Sequence, residues 1–237
     1  MRTFILIPSY KDEEAVAKTV AAVKAQGDLV TEIIVEEDEN GDGFTRNVNR
    51  GLAKVIRSKL FDYENSVVYI LNQDCELLPG ALASMNALLS KNPKAGLVGL
   101  KQLAKDREHI THGGTKDAFP AGVHEGGLKS KKDCNKSKKV PWVNFACVGI
   151  KGAVFLECGL LDESMKMFAS DSDYSYTARA RGWECWYCAE AEAVHEGGAS
   201  RSSDSQQQKQ MRFDMTQFRD KWLGSERYRD LYGEVFR

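Results

Sequence analysis

Thr3-Phe4-Ile5-Leu6-Ile7-Pro8 opens the chain as an unbroken apolar run, and Glu32-Ile33-Ile34-Val35 repeats the signal further on. Runs without alternation are what strands buried on both faces of a parallel sheet require. Between them, residues 12–26 carry Val16, Val20 and Val23 at helical spacing, with alanines among them. Outward from this core the pattern continues. Residues 47–60 place Leu52, Val55, Ile56 and Leu60 on one helical stripe. Residues 66–71 read as a third strand, 79–89 as a helix with Pro79 at its start, and 95–100 as a fourth strand. The alternation predicts an α/β layer built on a mixed, mostly parallel sheet flanked by helices.

The rhythm breaks over residues 101–140, a segment rich in Gly, Lys, Asp and His. It is too long for an ordinary connection and reads as a functional loop or a small hairpin excursion. Patterning resumes over 143–155, and after Ser200 the chain turns polar before a terminal helix from about 206 to 223. With no internal repeat and no linker, one domain over 1–237 is expected, with halves 1–100 and 101–205 and a helical tail 206–237.

A chain of 237 residues with 42% hydrophobic and 28% charged residues can bury a substantial core. A net charge of −1 excludes a global field that would draw it to nucleic acid or membrane. No stretch approaches the ~18–20 apolar residues of a membrane span. The N-terminal run is too short for a signal peptide and lacks a small-residue cleavage site, so a cytoplasmic location is expected. The six cysteines follow no disulfide rhythm and read as reduced thiols. Cys185-Trp-Tyr-Cys188 has CxxC spacing, but a strand sends residues i and i+3 to opposite faces, so it reads as a buried strand.

The chemistry-bearing residues follow the strand ends. The second strand runs into Glu36-Glu37-Asp38-Glu39-Asn40-Gly41-Asp42-Gly43, and the third into Asn72-Gln73-Asp74-Cys75-Glu76. Ligands of open α/β sheets bind at such carboxyl ends. Two acidic clusters there repel each other unless a cation or a ligand's hydroxyls satisfy them, and hard divalent cations take carboxylate and phosphate oxygens. Further on, Asp171 and Asp173 open an amphipathic helix, Gly182-Trp183 ends it, and a short strand delivers His195. This arrangement can bring a general base and a metal-binding imidazole to one cleft.

In order and spacing these motifs resemble the catalytic domain of family 2 glycosyltransferases. Ile5-Leu-Ile-Pro8-Ser9-Tyr10 is similar to the family's opening strand, and the resemblance implies that Pro8 and Tyr10 line a nucleotide pocket. The turn from Glu37 and Asp38 to Gly43 looks like the acidic turn that holds base and ribose. Asn72-Gln73-Asp74 resembles the Asp-x-Asp segment, with Asn72 in place of the first Asp. Cys158-Gly159-Leu-Leu-Asp162-Glu163 is similar to the acceptor-side turn. The implied fold is GT-A, and the implied activity is inverting, metal-dependent transfer of a sugar from a nucleotide-diphospho donor, UDP-sugar foremost, to an acceptor hydroxyl. Asp171 is then the base, and Asp74 and His195 hold Mn²⁺ or Mg²⁺, with a phosphate contact as the alternative for His195. Asn49, Asn72 and Gln73 belong to the donor side. Asp173 and Ser200 are accessory candidates, Asp173 being equally readable as a helix-start carboxylate favoured by the helix dipole.

The chain departs from the family pattern in three places. The helix and strand usual between the acidic turn and Asn47 are missing, which implies a more open nucleotide pocket. Ser170 replaces the usual Glu before the base, and Thr177 stands where Arg is frequent. The run from Lys129 to Lys139 holds six lysines and one acid. It reads either as a solvated loop or as a contact for an anionic acceptor. Nucleic acid is the less supported partner, since aromatic residues for stacking are sparse there. His109, His112 and His124 lie among glycines in a segment that the resemblance assigns to the acceptor pocket, and they lack the fourth ligand of a zinc site. The alternative readings of the whole chain are a non-catalytic nucleotide-sugar or glycan-binding module, or a glycosyltransferase acting on modified nucleic acid through the run from Lys129 to Lys139.

Overall fold

The computed structural model of the protein describes residues 1–116, 123–195 and 205–223. In chain order the elements are β1 (Arg2–Ser9), α1 (Glu13–Lys24), β2 (Glu32–Glu37), α2 (Phe44–Arg57), β3 (Ser66–Leu71), β4 (Glu76–Leu77), α3 (Ala81–Lys91) and β5 (Ala95–Leu103). They continue with β6 (Ile110–His112), β7 (Thr115–Lys116), β8 (Val123–His124), β9 (Lys138–Val140), β10 (Cys147–Lys151), α4 (Gly152–Cys158), α5 (Ser170–Arg179), β11 (Glu184–Val194) and α6 (Ser205–Leu223).

The main sheet runs β2-β1-β3-β10-β5-β11-β4, with β6 on β5 and β9 on β11. β1 is parallel to both β2 and β3, β10 is antiparallel to β3 and β5, and β11 is parallel to β5. The strands β1, β2, β3, β5 and β11 therefore share one direction, and their carboxyl ends share one edge. The expected mixed, mostly parallel sheet is present, with the first two acidic turns on that edge.

Alternation along β1 explains the two faces. Phe4 and Leu6 pack with Val48, Leu52 and Val55 of α2 and with Val154 and Tyr174 of α4 and α5. Ile5 and Ile7 pack with Val23 of α1 and Leu82, Met85 and Leu89 of α3. Cys185 joins the first cluster and Cys188 the second, as expected for i and i+3 on a strand, and all six cysteines are free thiols. Gly51 lets α2 lie close on β1, because a Cβ there would run into the Leu6 side chain.

Several boundaries differ from the sequence pattern, each for a local reason. α2 starts at Phe44, because Gly43 adopts φ 96° and caps it, and ends where Ser58 becomes extended. Gly80, with φ 82°, caps α3, so the helix begins after Pro79 rather than at it. The 101–140 excursion resolves into short strands: β6 extends the main sheet, β7 and β8 form their own hairpin, and β9 pairs with β11. The terminal helix is more than a tail. Phe218 and Trp222 of α6 pack on Met165 and on Tyr176 of α5. Among the described residues no helix is long and apolar enough to cross a membrane.

Candidate active site

The shared edge gathers the acidic turn after β2, the Asn72–Asp74 turn after β3, His195 after β11 and the loop entering β10. Asn72 N–H donates to the Ala146 carbonyl (2.9 Å), which ties the β3 turn to that loop.

On the β1–β2 side, Glu37 is exposed and is held by neutral donors, the Ser9 hydroxyl and the Lys11 N–H (2.9 Å). The Ser9 hydrogen bond foremost holds its carboxyl below the usual range. Tyr10 is half exposed beside it. Asp38 is buried and serves the turn itself, accepting from Asp42 N–H (2.9 Å) and Gly43 N–H (2.8 Å). Burial pushes its carboxyl up, but these donors and Arg50 outweigh it, and the net shift is downward. Arg50 also reaches Asp42 (2.7 Å) and Glu36 (3.5 Å), and Lys54 pairs with Glu36 (2.5 Å). Glu36, Asp38 and Asp42 of the acidic turn therefore have their countercharge within the protein.

Among the described residues Asp74 has no Lys or Arg partner. Its Oδ1 lies 3.4 Å from His195 Nε2. Burial raises the Asp74 carboxyl, but the hydrogen bond and charge of His195 bring it below the usual range. His195 is oriented from behind. Its Nδ1 lies 3.1 Å from Gln102 Oε1, and Gln102 Nε2 donates to Asn144 Oδ1 (3.0 Å), which also accepts from Ala146 N–H (2.9 Å). This network fixes Gln102 as acceptor, so Nδ1 donates to it and Nε2 is turned toward Asp74 and the Asn72 amide, each 3.4 Å away. Asp74 Oδ1 and His195 Nε2 face each other directly. Their 3.4 Å separation is near the ~3 Å edge of an octahedron with ~2.1 Å bonds. Asp74 and His195 thus fit as two ligands of a hard divalent ion. Among the described residues no group of three or more His, Cys, Asp or Glu could form an all-protein cage.

Asp171 lies in the first turn of α5. It is deep among protein atoms but keeps part of its surface open, and burial pushes its carboxyl up to about 6 against the N–H groups of Ser172 and Phe145. Ser172 N–H donates to it at 2.7 Å. The Phe145 contact brings Asp171 to the same 144–146 loop that serves Asn72 and Gln102.

Three expected site residues have other work. Asn49 is buried; its amide donates to the Leu161 carbonyl (2.9 Å) and to Glu163 (3.1 Å) and accepts from Leu161 N–H (3.0 Å), so it clamps α2 to the acceptor-side turn. Gln73 accepts from Tyr10 N–H (2.6 Å) and donates to the Tyr10 carbonyl (3.3 Å), which fixes β1 relative to β3. Asp173 is buried against α6, accepting from Trp222 Nε1 (2.7 Å) and Lys221 Nζ (2.9 Å). Ser200 lies outside the described residues.

On the far side of His195, His112 is buried and its Nδ1 meets the Nδ1 of His124 at 2.8 Å. Burial, then His124 and His195, pushes His112 down to about 3, so it is neutral. His124 stands edge-on to Trp142 at 4.9 Å. In the lysine run, Lys138 pairs with Glu125 (2.8 Å) and Lys139 with Glu184 (2.6 Å). The backbone of the run is pinned by the buried Lys101, which donates to the Lys131 carbonyl and Asn135.

Sequence reasoning missed Arg50, Gln102, Asn144 and Asp214. Of these only Arg50 carries a local signal, a cation about two turns along the helix that follows the acidic turn.

Residues 1–213 match the family described as "Glycosyltransferase like family 2". No curated protein matches the chain. Among solved structures, the chain is similar to GalNAc-T7 crystallised with UDP, GalNAc and Mn²⁺, at 14% identity and a TM-score of 0.60. That match covers 94% of this chain and 48% of the other, so this chain spans about half the length of that protein. It is also similar to A197 from STIV, at 11% identity and a TM-score of 0.54, over 81% of this chain and 84% of that one. These likenesses are of fold.

Proposed function

The chain belongs to the glycosyltransferase family 2-like proteins, and from that premise we propose that it transfers a sugar from a nucleotide-diphospho donor to an acceptor hydroxyl with inversion at the anomeric carbon. The observation that carries the reading is the convergence of Asp74 with His195, and of Asp171, on the loop 144–146 at one sheet edge. The donor proposed is a UDP-sugar, the nucleotide held by the structural neighbour GalNAc-T7.

Glu37, open and held by neutral donors, accepts N–H or O–H groups of the base or ribose, with Tyr10 beside it. Asp74 and His195 would hold Mn²⁺ or Mg²⁺, which supplies Lewis-acid neutralisation of the diphosphate leaving group. Gln102 keeps His195 Nε2 turned toward Asp74. Asp171 accepts the acceptor hydroxyl's proton as the new C–O bond forms and the bond from the anomeric carbon to the phosphate oxygen breaks. A carboxyl raised to about 6 is mostly ionised at neutral pH yet more basic than an ordinary aspartate.

The test is UDP-sugar turnover with and without divalent ion, alongside UDP-induced thermal shifts. Metal-stimulated turnover that disappears in Asp74→Ala, with the fold intact by circular dichroism, is expected. Full activity in excess EDTA would rule out the metal assignment, and metal-independent UDP binding with no sugar release would return the chain to a binding module.

A further inference from the structure

Residues 165–169 join the acceptor-side turn to α5 and form no regular secondary structure. Such a segment has backbone N–H groups that must find partners. Here three consecutive ones, those of Lys166, Met167 and Phe168, all donate to one side chain, Asp214 of α6, at 3.0, 2.8 and 2.9 Å. Asp214 is fully buried and also accepts from Gln210 Nε2 at 2.8 Å. Each carboxylate oxygen takes two donors, so all of the ~four acceptor sites of the group are used. From the opposite side, α2 holds the same segment. Thr45 N–H donates to the Lys166 carbonyl (3.1 Å) and the Thr45 hydroxyl to that of Met165 (2.5 Å).

This clamp ends where the base begins. Ala169 caps α5 with φ 62°, a left-handed conformation that a non-glycine residue adopts only when its surroundings hold it there. Its carbonyl receives Asp173 N–H at 2.8 Å, and Asp171 lies within that first turn. α6 is itself fixed by a reciprocal contact, since Trp222 and Lys221 donate to the buried Asp173 of α5. One carboxylate reaches from α6 to the base segment, and one from the base helix to α6.

We propose that Asp214 is a positioning residue for sugar transfer: by gathering the three N–H groups before α5 it sets where the Asp171 carboxylate stands in the cleft. The proposal rests on Asp171 being the base. It makes α6 a working part of the acceptor half, and the segment 165–168 the joint at which α2, next to the donor turn, and α6 both act on the base.

Asparagine cannot replace Asp214. Its single oxygen accepts two donors at most, and its NH₂ would face N–H groups. Asp214→Asn is expected to lower kcat about 10²-fold through misplacement of the base, with UDP affinity in Mn²⁺ within about twofold of wild type. The carboxyl ¹³C titration of Asp171, identified by its loss in Asp171→Asn, should move away from about 6 in Asp214→Asn. Gln210→Ala leaves the three backbone bonds in place and should change neither quantity, whereas Asp214→Glu keeps the charge and should restore part of kcat. Wild-type kcat in folded Asp214→Asn, an unmoved Asp171 titration, or UDP affinity falling in step with kcat would each overturn the proposal. If Asp214→Asn does not fold, Asp214→Glu decides: about a tenfold loss of kcat with UDP binding intact supports it, and wild-type kcat refutes it. Wild-type turnover in Asp171→Asn would instead remove the base assignment, and the Asp171 titration would still report whether Asp214 holds the segment.

Discussion

Asp171→Asn separates the chemistry of the site from its stability, because the two should move in opposite directions. In the native protein burial lifts the Asp171 carboxyl from 3.8 to about 6. Between those values the native state binds a proton that the unfolded chain has released, so stability falls as pH rises through the window and the loss is complete above it. Two pH units correspond to about 3 kcal/mol, and allowing for the part of the residue open to solvent leaves about 1–3 kcal/mol. Asparagine removes the buried charge and keeps an oxygen for Ser172 N–H, so Asp171→Asn should raise the melting temperature at pH 7.5 by a few degrees, at about 2–4 °C per kcal/mol for a chain of this size. The same change should lower kcat by about 10²–10⁴, the usual worth of general-base help, with little change in UDP affinity. In the wild type, kcat followed from pH 4.5 to 8 should show an acid limb near 6, so that at pH 5 about a tenth of the plateau remains. A limb near 4, a lowered melting temperature in Asp171→Asn, or near-wild-type transfer by that variant would refute the reasoning.

Three further outcomes follow from the hydrogen bonds and ion pairs. Trp222→Phe removes the indole donor from the buried Asp173 and should destabilise the protein by about 1–3 kcal/mol in denaturant melts, and an unchanged midpoint would show that α6 docks without that bond. For an anionic acceptor, neutralising Lys129, Lys131, Lys132 and Lys136 together should raise the acceptor KM and leave the donor KM alone, an effect that added salt should mimic. Neutralising Lys138 and Lys139 should instead loosen β9, since those two already pair with Glu125 and Glu184. An acceptor KM unmoved in the first set would make the run a solvated loop.

The strands were legible where burial on both faces leaves no polar position, as in Phe4–Ile7 and Ser66–Leu71. The short strands β6 to β9 were not, because two or three residues are held in extended form by their partners rather than by local pattern. Boundaries slipped at Gly43 and Gly80, whose positive φ starts a helix where apolar spacing alone gives no sign. In the site, Asp74, Asp171 and His195 could be read because each ends or begins an element at the edge where ligands bind. Asn49, Gln73 and Asp173 occupy suitable positions in the sequence, yet their side chains meet Leu161, the Tyr10 backbone and Trp222. Those partners are remote in the chain, and nothing local in the sequence distinguishes a polar residue that clamps the frame from one that faces the cleft.

The same remoteness hid the charge balance of the edge, and that balance narrows the chemistry. As sequence, the two acidic clusters show only that a cation or a ligand's hydroxyls must offset their repulsion. In the fold, Glu36, Asp38 and Asp42 share Arg50, with Lys54 on Glu36, and Glu76 pairs with Arg107 at 2.8 Å. Glu37 is satisfied by neutral donors suited to a neutral partner. Among the described residues Asp74 meets only the imidazole of His195, at 3.4 Å, which Gln102 orients. A diphosphate approaching that carboxylate is repelled unless a cation arrives with it. On the proposed function, the positive charge that donor binding needs would be held by Asp74 and His195, and the acidic turn after β2, whose Glu36, Asp38 and Asp42 are paired internally, would recognise the nucleoside.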